Sequence, residues 1–177
     1  FPYWYQQLNR NLGRLAQHSN GVLSRLRPSL LENHPLPGPP GRGAMLLRIG
    51  EGPDALAVVM MHLSLGARTR TRQLAYIREL LSDYRHHVLM GDMNTHANDL
   101  LLHSPLRDLD LYAPQIEATF PSWRPQRCLD HILLSSGLAL ERCEVLAQPI
   151  SDHLPVAVHI RLPTSLFTPA TPMLTEP

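Results

Sequence analysis

Lysine is absent from the chain, so all the positive charge counted in its 16 Lys plus Arg residues is arginine. Arginine forks suit phosphate, yet so uniform a replacement is what a GC-rich coding bias produces, and it carries little functional weight. Cysteine is scarce as well. Cys128 and Cys143 are too few for a disulfide framework, and their flanks lack metal-ligand spacing, so both read as reduced thiols. No apolar run approaches the roughly 20 residues that cross a bilayer, which argues against a membrane-spanning role. Excess charge is missing too: a formal net charge of +1 neither demands nor excludes a nucleic-acid partner. The first five residues show no initiator Met, charged n-region or signal-peptide core. The expectation is a piece of a longer chain with a cytoplasmic location.

What is present suits one domain. A chain of 177 residues can bury its own core, and 44% hydrophobic with 18% charged residues is a globular composition. Leu8, Leu12 and Leu15 predict a short amphipathic helix over 3–16, interrupted at Gly13, and 20–25 reads as a strand. A Pro- and Gly-rich loop over 35–43 leads to a strand over 44–49. The apolar stretch 54–63 predicts a central strand delivering His62 to its exit. Leu74, Ile77 and Leu81 predict a helix over 68–81 packed on the sheet. A short buried strand over 87–90 ends in the loop 91–96. Between 98 and 125 the pattern gives only short Leu-rich turns. Strands follow over 129–134, 140–146 and 154–162, and the Pro/Thr-rich tail 163–177 reads as disordered. No internal repeat is visible.

The polar candidates fall at strand ends or in the loops beyond, where a rigid scaffold commonly places catalytic groups. Asp92 and Asn94 flank Met93 in a loop opened by Gly91, so both side chains can face one pocket. Asp92 could bind a cation or activate water, and Asn94 could donate to a phosphoryl oxygen. Taken alone, this tetrapeptide reads as readily as a turn whose side chains bond local backbone. Asp152 and His153 lie between Pro149 and Pro155, which hold the chain out of helix just before the last strand. An imidazole suits proton exchange near neutral pH, and Asp130 is the candidate carboxylate to fix its tautomer. Any one histidine among ten is more often a surface or packing residue.

Taken in order, these segments resemble one family. His62, Leu63, Ser64; Arg72 and Gln73; Gly91, Asp92, Met93, Asn94; Thr119, Phe120, Pro121 leading to Asp130, His131, Ile132; and Ser151, Asp152, His153, Pro155 resemble the motifs of the endonuclease/exonuclease/phosphatase superfamily. The likeness runs from about Asn20 to Ile160 and rests on order and spacing across several motifs. It implies an α/β (α+β) fold, a four-layered αββα sandwich of two packed mixed sheets over 1–162, with its first strands missing here. It also implies Mg²⁺- or Mn²⁺-dependent cleavage of a phosphoester by in-line attack of water. By the same resemblance, Asp92 would activate or orient that water, and Asn94 would hold the phosphate. His153 would act as base or phosphate contact, oriented by Asp130. Asp152 would support the metal together with Asp92, and His62 would stabilise the phosphoryl oxygens. Which group takes the proton is left open by the motifs.

The family pattern also begins with a strand carrying an Asn and a strand ending in Gln and Glu, the latter the main metal ligand. Neither is visible in this sequence, and Glu32 and Glu51 do not match the motif, so both are expected upstream. Arg72, within the basic cluster Arg68, Arg70 and Arg72, and Trp123 are further candidates for substrate contact. The ordinary readings are a solvated helix start and simple packing. A nuclease-type phosphodiesterase is the leading expectation. A lipid or inositol phosphate phosphoesterase comes next, then a non-catalytic binding module on the same scaffold. Substrate and oligomeric state are not legible.

Overall fold

The computed structural model describes residues 1–11, 17–52, 54–114 and 117–167. In chain order the strands are β1 (Tyr3–Asn11), β2 (Gln17–Ser24), β3 (Leu30–Pro35), β4 (Gly43–Ile49) and β5 (Leu56–His62). Helix α1 (Ala67–Leu80), β6 (His86–Asp92), helix α2 (Ala97–His103), a 3-10 turn (Pro105–Asp108) and β7 (Leu111–Tyr112) follow. The chain continues through β8 (Asp130–Ser135), β9 (Ala139–Val145) and β10 (Val156–Arg161).

Six strands form a mixed sheet in the order β3-β4-β5-β6-β8-β7, with β5 and β6 its parallel pair. Its central strands are apolar almost without interruption because both faces are covered. On one face Ala57, Val59, Met61, Leu89 and Leu133 pack against Leu74, Ile77 and Leu81 of α1 and its C-cap, and against Leu100 of α2. On the other, Leu56, Val88, Ile132 and Leu134 meet Val156, Val158 and Ile160 of β10. Two separate antiparallel ribbons, β1-β2 and β9-β10, make this second strand layer. The α/β class and the strand-on-strand packing expected for the family are therefore what the chain adopts.

Buried amides seat the first ribbon. Gln7 Nε2 donates to the His34 carbonyl at 3.0 Å, while Asn20 Nδ2 donates to the Gly43 carbonyl at 2.9 Å and to Gln7 Oε1 at 3.1 Å. These bonds compensate the burial of polar groups and fix where the ribbon crosses β3 and β4. Gly43 lets the ribbon and β4 pack closely, since a Cβ there would displace Asn9 Oδ1 and the Gln7 amide.

Two expectations are corrected. The helix predicted over 3–16 is strand β1 across its described part, residues 3–11, while 12–16 lie outside the described residues. Its exposure alternates, with Trp4, Gln6, Leu8 and Arg10 outward and the intervening residues more buried. That period of two, with aromatic residues at the start, outweighs the helical spacing of three leucines once β2 is available as a partner. Disorder of the tail does not extend to Thr164–Phe167, which form a 3-10 turn with Leu166 buried against Ile49 and Leu56. Residues 168–177 lie outside the described residues.

Candidate active site

The sheet's hydrogen-bond register builds the site. His62 is the last residue of β5 and pairs with Asp92, the last residue of β6, and Asp92 pairs in turn with Asp130, the first residue of β8. Three polar side chains thus stand on successive strands at one end of the sheet. Gly91 permits this approach: its φ is +129°, and a Cβ there would run into the Met61 carbonyl oxygen.

Two histidine–carboxylate pairs occupy this end. His62 Nε2 lies 3.2 Å from Asp92 Oδ2, and His153 Nδ1 lies 2.7 Å from Asp130 Oδ2. Burial pushes the Asp92 carboxyl upward, but the hydrogen bond from His62, the N–H of Asn94 and the charges of His62 and His153 outweigh it. The net result lies below the usual carboxylate range. Asp92 is therefore an anion at neutral pH, and both imidazoles lie within its electrostatic reach.

Asn94 adopts φ +51°, a left-handed conformation that Asn tolerates better than most residues. Its N–H donates to Asp92 Oδ1 at 2.9 Å, and its amide donates to the Leu63 carbonyl at 3.0 Å and to Asp92 Oδ2 at 3.2 Å. The two side chains thus form the local turn, bonded to each other and to the Leu63 carbonyl. To hold a phosphoryl oxygen, the Asn94 amide must exchange its bond to Asp92 for one to substrate.

A framework without a role in the sequence reading positions both pairs. Thr119 is fully buried and donates from Oγ1 to Asp130 Oδ2 at 2.6 Å, sharing that oxygen with His153. The Phe120 ring packs against the His153 imidazole, centroids 4.7 Å apart. Ser122 holds the next turn: its N–H donates to the Asp152 carbonyl at 2.8 Å and its Oγ to the Ser151 carbonyl at 2.5 Å. On the other flank, Gln73 of α1 accepts from the Ser64 N–H at 2.9 Å and donates to Ser64 Oγ and the Pro37 carbonyl, both at 3.0 Å. That bond set fixes the turn whose Leu63 carbonyl receives Asn94. Thr119 and Gln73 stood within the quoted motifs, but spacing alone could not say that they brace other side chains.

The structure therefore brings together His62, Asp92, Asn94, Asp130 and His153. It does not bring Asp152 to Asp92: the Asp152 side chain is exposed and has no hydrogen-bond or ion-pair partner among the described residues. Arg72 lies exposed on α1, one residue from buried Gln73. Trp123 is 74% exposed and directly follows Ser122, beside the loop that carries His153. An open cavity of about 420 Å³ adjoins Asp130 and His153, with Met60, Met90 and Val156 on its apolar side.

Asp92 and Asn94 supply oxygens of the kind a hard divalent cation prefers. The number falls short: among the described residues, no group of three or more His, Cys, Asp or Glu side chains could hold a metal ion. The described side chains do not by themselves complete a metal centre. Among the described residues no helix is long and apolar enough to cross a membrane.

Solved structures share this architecture. The catalytic domain of human nocturnin, determined with a bound sulfate anion, superposes with a TM-score of 0.70 at 16% identity, over 91% of this chain and 72% of that one. A Bacteroides thetaiotaomicron mannosyl-6-phosphatase gives 0.62 at 15% identity, over 82% and 71%. An endonuclease/exonuclease/phosphatase from Beutenbergia cavernae gives 0.66 at 20% identity, over 82% of this chain and 48% of its own length. At such identities the likeness establishes the fold. No curated protein matches the chain. Residues 2–153 match the Endonuclease/Exonuclease/phosphatase family, a superfamily of hydrolytic phosphoesterases, and the chain belongs to that family.

Proposed function

We propose that this chain carries the site of a phosphodiester hydrolase of nuclease type, and that its reaction depends on Mg²⁺ or Mn²⁺. The observation that carries this reading is the pair of imidazole–carboxylate couples whose carboxylates stand on the neighbouring strands β6 and β8, with an amide beside Asp92. Asp130 accepts from His153 Nδ1–H, which leaves the Nε2 lone pair to take a proton from water. His62 and the Asn94 amide supply donors to non-bridging phosphoryl oxygens, and Asp92 orients both. A divalent cation, when bound, would supply charge neutralisation at the phosphate. Asp92 is the residue present that would ligate it, while Asp152 would act from the rim, and Arg72 and Trp123 would meet the substrate outside the reacting centre.

A second reading, a phospholipid or inositol phosphate as substrate, is favoured by the rim itself. Ile150 is 84% exposed and lines the cavity beside Ser151 and His153. One experiment addresses the reaction class: hydrolysis of an aryl phosphodiester with Mg²⁺ or Mn²⁺, with a chelator, and with Asp92→Asn. Cleavage that disappears in both controls is expected. Cleavage that survives the chelator removes the metal from the reading, and no cleavage by the unaltered protein favours a binding module on this scaffold.

A further inference from the structure

The net charge of +1 conceals an uneven distribution. Up to residue 47 the chain holds Arg10, Arg14, Arg25, Arg27 and Arg42 against Glu32 alone, so the compensating carboxylates lie later in the sequence. The fold gathers part of this charge in one place. Arg10 of β1 and His18 of β2 are cross-strand partners, and the β3-β4 loop brings Pro40, Gly41 and Arg42 against them. Together these residues line a cavity of about 130 Å³ with no carboxylate among its described lining residues. The aliphatic stem of Arg10 lies over Gly41, where a Cβ would meet it at 3.5 Å. Neither Arg10 nor Arg42 forms an ion pair among the described residues. Glu32 sits further back along β3 and is engaged by His34 at 3.2 Å.

The register shows where this cavity stands. Ala44 pairs with Met61, so Gly43 and Arg42 emerge from β4 at the end where His62 leaves β5. Along that end the order is β4, β5, β6, β8, carrying Arg42, His62, Asp92 and Asp130. Neighbouring strands are about 4.8 Å apart, which places Arg42 on the order of 10 Å from Asp92. Two guanidinium groups without ion-pair partners among the described residues, one of them emerging at this end of the sheet, are suited to an anion attached to the substrate.

We propose that Arg10, His18 and Arg42 form a phosphate subsite that binds a second phosphate of the substrate while the first lies at His62, Asp92 and His153. This rests on the phosphoesterase reading and narrows it to substrates with more than one phosphate. A nucleic acid strand and a multiply phosphorylated small molecule share that chemistry.

The test has a binding arm and a kinetic arm. Inorganic phosphate is titrated into the protein while the Arg Nε–H resonances are followed by NMR, for the unaltered chain and for Arg10→Gln/Arg42→Gln. Kinetics are then compared on an aryl phosphodiester, an oligonucleotide and an inositol polyphosphate, with Arg85→Gln at the opposite end of β6 as control. Phosphate should move the Arg10 and Arg42 signals. The double variant should raise KM at least about tenfold for one multiply phosphorylated substrate, with kcat and the aryl diester unchanged. The substrate that shows the rise identifies the source of the second phosphate. No movement of those signals, or equal KM changes on all three substrates, overturns the subsite. Movement of the signals without hydrolysis of any substrate upholds the subsite as an anion site and removes the phosphoesterase reading instead.

Discussion

Asp130 Oδ2 accepts two hydrogen bonds, from His153 Nδ1 and Thr119 Oγ1. The two donors have different consequences. Asp130→Asn can turn its amide toward the ring and force the proton onto Nε2, which removes the proton acceptor of the proposed reaction. A fall of about 10²- to 10⁴-fold in kcat is expected, with little change in KM. Thr119→Val keeps the carboxylate on His153 and removes only the second donor, so a loss nearer tenfold is expected. Steady-state kinetics on one phosphodiester, with thermal melts of both variants, separates the two. A Thr119→Val loss as large as that of Asp130→Asn would contradict this ordering. The Asp130–His153 pair was legible as residue types at motif spacing. The brace behind it was not, because a buried hydroxyl leaves no periodic trace in a sequence.

Among elements, the most legible were those whose residues face a core on both sides, although the half-exposed β9 and β10 also fall where alternation predicted strands. β4, β5, β6 and α1 follow from apolar runs and helical spacing, and their boundaries fall within a few residues of expectation. β1 was misread because Leu8, Leu12 and Leu15 sit at helical spacing, while its true period of two depends on pairing with β2. β3 and β7 were missed for a related reason: both are edge strands, half buried, with no run long enough to stand out. Gly91 tests the element that matters most. Gly91→Ala must displace β6 from Met61 of β5, so a stability loss of about 1–3 kcal/mol is expected in urea unfolding. Because His62 and Asp92 belong to those two strands, activity should fall further than stability. An unchanged unfolding midpoint would refute the close approach.

For the molecule as a whole, acid should weaken folding in two separate windows. Burial lowers the pKa of His87 and of His131; His87 donates from Nε2 to the Tyr84 carbonyl at 2.6 Å, and His131 from Nε2 to the Thr95 carbonyl at 2.8 Å. The folded state thus resists protonation that the unfolded chain accepts. Stability is complete above about pH 6.5 and declines as the pH falls below that value toward the folded pKa values. Asp92, held low in the fold, contributes stability above the ordinary carboxylate range and loses it only as the pH drops through its depressed pKa. Urea titrations at pH 7.5 and 5.0 should show the first decline, and His87→Gln should reduce it. A His87→Gln profile parallel to that of the unaltered protein would exclude this histidine as a contributor.

The spacing of His62, Asp92 and Asp130 is set by peptide hydrogen bonds between adjacent strands, so the backbone ladder acts as a ruler for the chemistry. Side-chain packing decides how long the ruler survives heating and leaves its graduations alone. Truncating core residues distant from this end, such as Leu134 or Val88, should therefore lower the temperature at which activity is irreversibly lost while turnover per folded molecule at 25 °C stays constant. Heat tolerance and catalytic rate would then be separately adjustable properties of this chain.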